Sequence, residues 1–150
     1  LLSQSLLMRD HLGPFQEDML AMIDDQADII DQASLLWRMI YFVVSQYQSQ
    51  FKSFQVVRHE DLSLDPLQAY GMLYDRLGLV FTPRAVKAIT ISSKTGNPQE
   101  RRESAVHATQ LDSRANLNNW KARLSPQEIE RIHLLTGDIA SNYYTRASRN

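Results

Sequence analysis

Cysteine is absent from the 150 residues, which excludes disulfides, thiolate nucleophiles and cysteine-ligated zinc and fits a reducing compartment. No apolar run approaches the roughly 20 residues that span a bilayer, and the N-terminus lacks the charged start and cleavage pattern of a signal peptide. A cytoplasmic, soluble protein without a membrane span is therefore expected. The four histidines, His11, His59, His107 and His133, include no pair at the i, i+4 spacing of a helical metal site, so no metal is expected. The basic residues are not interleaved with an aromatic platform, and the formal net charge is -1; nucleic acid is not an expected partner. No internal repeat and no low-complexity segment occurs.

What is present is enough for one core, since 43% of the residues are hydrophobic and a chain of this length fits a single domain or a large piece of one. Charge is distributed unevenly. Residues 1 to 75 carry 11 acidic and 4 basic side chains, a net of -7, whereas residues 76 to 150 carry 6 and 12, a net of +6. A basic second half suits an anionic ligand; oppositely charged helix faces that attract each other account for the same numbers.

Helical periodicity dominates. Gly13-Pro14 opens a segment with Phe15, Met19, Met22 and Ile23 on one stripe. From about Ala27 to Tyr47, the positions Ile30, Ala33, Leu36, Trp37, Ile40, Tyr41, Val44 and Tyr47 keep the period for roughly six turns, which predicts the longest helix with this stripe as its core face. Asp65-Pro66 starts a helix that ends at Gly78, and Thr82-Pro83 starts another with Val86 and Ile89. Ser125-Pro126-Gln127-Glu128 is a capping-box signature ahead of Ile129, Ile132 and Leu135.

Two stretches depart from this pattern. Phe54 to Arg58 reads as a short strand, because Phe and two Val cluster in a run too brief for a helix. His59, Glu60 and Asp61 then form a corner between that strand and the helix capped by Asp65. One strand cannot satisfy its own backbone, and the chain opens "LLSQS" without a methionine; the expectation is the later part of a larger fold, with sheet partners upstream or on another chain. The second departure is the polar stretch 91 to 114, which holds Lys94, Arg101, Arg102 and Arg114 and is either functional or disordered.

The order of these pieces resembles the C-terminal half of a sulfotransferase. The long helix contains Trp37, followed by "VVRHEDLSLDP" (56 to 66), "LYDRLGL" (73 to 79) and "NNWKARLSPQEIERI" (118 to 132). The resemblance covers about residues 30 to 145. It implies an α/β class, the P-loop-kinase-like sulfotransferase fold, of which this chain would be the mostly helical C-terminal half with one or two strands. It also implies that 3'-phosphoadenosine 5'-phosphosulfate (PAPS) donates a sulfuryl group in line to an acceptor hydroxyl or amine, leaving 3'-phosphoadenosine 5'-phosphate (PAP). The phosphosulfate loop and the general base are expected upstream of Leu1, so the catalytic residues lie outside this sequence.

Donor-binding positions carried over from the resemblance are four. Ser3, with Ser5 second, matches the serine that follows the 3'-phosphate arginine of the family. Ser113 and Arg114 fall on the basic segment that precedes the tryptophan-lysine pair, here Trp120-Lys121, although the family's glycine is Ala115. Thr90 falls on the adenine-contacting stretch, where the aromatic has become Ile91. Independently of the family, Ser113 and Arg114 supply a hydroxyl and a guanidinium suited to a phosphate; a surface salt bridge at Arg114 and a packing role for Trp120 are the structural alternatives. A sugar, lipid, polyketide or peptide acceptor all fit. A non-catalytic helical interaction or regulatory domain is the alternative function.

Overall fold

The structure, a computed structural model, describes residues 3–23, 27–99 and 110–144. Among these residues there are helices and no strand, so the class is all-α and the expected α/β sulfotransferase sheet is not found. Helix α1 (Ser5–Leu7) continues as a π-helical turn (Met8–Leu12) and a 3-10 turn (Gly13–Phe15) into α2 (Gln16–Ala21). Then follow α3 (Ile29–Gln50), α4 (His59–Leu64), α5 (Pro66–Arg76), α6 (Pro83–Ser92), α7 (Ser113–Asn116), a 3-10 turn (Asn119–Ala122) and α8 (Pro126–Ala140).

The predicted strand is the principal correction. Phe54 to Arg58 is irregular chain without ladder hydrogen bonds. Clustered Phe and Val favour a pleated surface only when a neighbouring strand supplies hydrogen bonds and packing, and none is present among the described residues. The triplet His59-Glu60-Asp61 is the first turn of α4, so its side chains follow helical rather than alternating geometry.

The helix starts follow from local chemistry. Asp28 caps α3 by accepting from Ile30 N–H, Asp65 caps α5 through Gln68 N–H, and Thr82 caps α6 through Ala85 N–H. At α8 the reciprocal box is complete: Ser125 Oγ accepts from Glu128 N–H, and the Glu128 carboxylate accepts from Ser125 N–H. Each of these side chains satisfies a donor that the helix leaves unpaired at its start. Gly78, with φ of 65°, lies in the left-handed region after α5, where a side chain would be strained.

The chain divides into two compact units, Leu1–Val56 with Ser125–Asn150, and Val57–Leu124. The first contains the apolar core. Leu12, Phe15, Met19, Leu35 and Met39 form a buried cluster, edged by Leu7, Met8, Met22, Phe42, Val43 and Ile139. Helix α8 packs along α3 and runs in the same direction, because the pairs Asp31–Arg131, Arg38–Asp138 and Tyr41–Tyr143 ascend together. Arg131 also reaches Asp28 at 3.1 Å, so opposite charges from the two halves of the sequence meet here.

The inward face of α3 differs from the predicted one. Ile30, Ser34, Leu35 and Met39 are buried, whereas Ile29, Leu36 and Ile40 are 70%, 49% and 51% exposed and Ala33 is exposed. Trp37, Tyr41, Val44 and Tyr47 are half-buried. This helix is apolar almost all round, and periodicity cannot choose between two apolar faces. The choice falls to the side that meets Phe15, Met19 and α8.

Among its described residues the second unit has no such cluster. Helix α4 packs on α5 and α7, and α5 on α6. Among its described residues the buried side chains are polar, Ser63 at 3% exposure and Asp112 at 8%.

Candidate functional site

Three of the four predicted donor residues, Thr90, Ser113 and Arg114, lie in the second unit, near or within its polar framework. Asp112 is the centre of that framework. Its Oδ1 accepts from Ala115 N–H at 3.0 Å, which caps α7, and its Oδ2 accepts from Gly96 N–H at 3.2 Å. Its own N–H donates to Pro98 O at 3.0 Å, while Leu111 N–H donates to Ser92 O at 2.9 Å. A buried carboxylate loses hydration, and two backbone N–H donors offset that loss. Gly96 adopts φ of 91°, a conformation that glycine reaches without steric cost.

Asn97 and Asn119 extend the framework. Asn97 Nδ2 donates to Ile91 O at 2.9 Å and also approaches Ser92 O and Leu111 O. Asn119 Nδ2 donates to Gln99 O at 3.0 Å and to Asn116 Oδ1 at 2.8 Å. The end of α6, residues 96 to 99, and α7 are thus joined through side chains rather than through an apolar core.

Ser113 is the first residue of α7, and its hydroxyl donates to Ser63 O at 3.3 Å. Arg114, next to it, is exposed, and its guanidinium has no hydrogen-bond or ion-pair partner among the described residues. Thr90 is exposed near the end of α6 with its hydroxyl donating to Val86 O at 2.8 Å. Ser3 is an exposed turn residue of the other unit. Arg101, Arg102 and His107 lie outside the described residues.

Trp120 is 38% exposed, with the Lys121 ammonium 5.5 Å from its ring centroid, a cation–π arrangement. Asp112, Asn97 and Asn119 were not singled out from the sequence. A local signal existed for Asp112, whose spacing to Ala115 is that of an N-cap, but the bond to Gly96 spans 16 residues and has no sequence pattern.

The charged corner within "VVRHEDLSLDP" has defined partners. Arg58 clasps Asp61 with two hydrogen bonds, one of them Nε to Oδ2 at 2.8 Å. The Arg58 hydrogen bond holds the Asp61 carboxyl below the usual carboxylate range, against an opposing effect of burial. His59 Nε2 lies 3.4 Å from Ser63 Oγ, one helical turn away. Ser63 is buried and its carbonyl accepts from Ser113, so the Ser63–Ser113 bond stitches α4 to α7. Among the described residues no group of three metal-ligating side chains occurs, and no helix is long and apolar enough to cross a membrane. Compared with protein-family models, with curated proteins and with solved structures, the chain has no match.

Proposed function

We propose that this chain is part of a PAPS-dependent sulfotransferase and that its second unit contributes to binding the nucleotide donor. The proposal rests on the order of its four sequence pieces, "Trp37", "VVRHEDLSLDP", "LYDRLGL" and "NNWKARLSPQEIERI", and not on a sheet. The observation that carries it into three dimensions is Arg114. An exposed guanidinium, without a partner among the described residues, stands on a short helix tied to its surroundings by part-buried hydrogen bonds, and a guanidinium so placed suits a phosphate oxygen pair. The chemistry assigned to this chain is donor binding. The base and the phosphosulfate loop have no counterpart among the described residues, and the acceptor is a hydroxyl or amine carried by a small molecule, sugar, lipid or peptide.

The test is a titration with PAP followed by amide and arginine Nε signals. Weak binding is expected, with a dissociation constant on the order of 1 mM, weakening as salt rises and weaker still in Arg114→Ala. Signals that do not move at about ten times that concentration would sink the donor-binding reading.

A second reading, a non-catalytic helical interaction module, is favoured by one specific observation. The outward face of α3 carries Ile29, Ala33, Leu36 and Ile40 with no charge among them. This reading expects a second copy of the chain on that face. Sedimentation equilibrium checks it: a concentration-dependent dimer that Ile40→Glu abolishes supports the module, and a monomer at all concentrations removes it.

A further inference from the structure

We infer that Asp112 is a positioning residue for Arg114: its carboxylate joins Gly96 to the first turn of α7 and so fixes where the guanidinium is presented to a phosphorylated nucleotide. The inference rests on the donor-binding reading and adds to it a residue that does not touch the ligand.

Helix α7 has four residues, far fewer than the 12 to 15 or so that make an isolated helix even marginally stable in water. Its position is therefore set from outside. One anchor is Ser113 Oγ on Ser63 O; the other is Asp112, which accepts from Ala115 N–H within the helix and from Gly96 N–H outside it. Arg114 directly follows both anchors, one residue after Ser113 and two after Asp112. Its side chain has no described partner to hold it, so the backbone beneath it determines where it can reach. A cation held in advance loses less freedom on binding than one carried by loose chain.

The two carboxylate oxygens of Asp112 have separable tasks. Asparagine at 112 keeps one acceptor oxygen and remains among the best N-cap residues, but its amide group donates and cannot accept from Gly96. Asp112→Asn thus retains the cap of α7 and breaks its tie to residue 96. Gly96→Ala breaks the same tie from the other end, because alanine is strained at φ of 91°.

The experiment uses the full chain with PAP and, for comparison, adenosine 5'-monophosphate, which lacks the 3'-phosphate. Hydrogen exchange at Gly96 and Ala115 is measured alongside the titration. In Asp112→Asn, exchange at Gly96 is expected to accelerate about tenfold while Ala115 changes little. Affinity for PAP is expected to fall about tenfold, with the preference over the monophosphate reduced, and Gly96→Ala is expected to reproduce both losses. Arg114→Ala should lose the same preference while leaving Gly96 exchange unchanged.

An Asp112→Asn chain whose Gly96 exchanges freely but which binds PAP as the wild type does would overturn the positioning role. Retained preference for the 3'-phosphate in both tie-breaking variants would overturn it as well. If the wild type binds no nucleotide while Gly96 stays protected, the donor reading is the idea that fails, whereas free exchange at Gly96 with unchanged PAP binding in Asp112→Asn fails the positioning role alone.

Discussion

Each of the two units has its own kind of internal interaction. In the first, Leu12, Phe15, Met19, Leu35 and Met39 are removed from water together, and the polar contacts around them, such as Arg131 with Asp28 and Asp31, are exposed pairs at the rim. In the second, the buried side chains among the described residues are Ser63 and Asp112, and apolar residues such as Leu77, Leu79 and Val80 remain exposed. An apolar cluster tolerates rearrangement because dispersion and burial have little directionality. A hydrogen-bonded framework specifies positions more narrowly, and fails more abruptly when one member is removed. That difference suits the second unit to hold a charged side chain in a fixed place, and the first to supply stability.

The comparison can be broken most severely at Phe15. Phe15→Ala is expected to destabilise the first unit by about 3 kcal/mol in urea unfolding, through lost burial and the cavity left beside Phe42 and Arg38. Asp112→Ala should cost about 2 kcal/mol, by leaving the Gly96 and Ala115 N–H groups without their acceptor. Hydrogen exchange should locate that loss in residues 90 to 120 rather than in α3 or α8. An exchange change spread evenly over both units would contradict the division between them.

Ser125→Ala removes half of the capping box and is expected to cost about 1 kcal/mol, seen as faster exchange in the first turn of α8. Smaller still is Arg131→Ala, about 0.5 kcal/mol at low salt and less at high salt, since the Arg131 side chain is 47% exposed.

The pH response should be the mildest of these effects, and its sign follows from the carboxylates. Hydrogen bonds from Ser125 lower Glu128, and the Arg58 hydrogen bond lowers Asp61. At Asp138, burial acts to raise the value, but hydrogen bonds from Ile139 N–H and Arg38 outweigh it and the net shift is downward. A carboxyl whose folded value is depressed adds stability above its unfolded value, and that contribution is lost as pH falls through the folded one. Thermal unfolding is therefore expected to be flat near neutrality and to weaken below about pH 4, with Glu128→Gln and Asp61→Asn each reducing the slope there. An unchanged slope in both variants would show that other groups control the acid limb.

Much of the local structure was legible because its causes are local. Asp65, Thr82 and Ser125 each act on a backbone N–H three residues ahead, and Gly78 ends α5 through its own dihedral angle. The strand at Phe54 to Arg58 was misread for the complementary reason. A strand exists by virtue of its neighbours, and Phe, Val and Val state a preference that only a second strand can fulfil. Of the candidate site, Ser113 and Arg114 were legible as a hydroxyl and a cation beside a helix. The framework that holds them was not, because Asp112, Asn97 and Asn119 are ordinary polar residues until the fold supplies their partners.

From the sequence alone came the helical character of the chain, most of its helix starts and the pairing of a hydroxyl with a cation at Ser113 and Arg114. Those follow from propensities and caps that act across three or four residues. Tertiary structure alone decided which face of α3 lies inside, that residues 54 to 58 form no ladder, and that Asp112 spans from Ala115 to Gly96. Each of these depends on groups far apart in the chain, whose meeting is set by packing and hydrogen bonding over the whole unit and leaves no periodic trace in the order of residues.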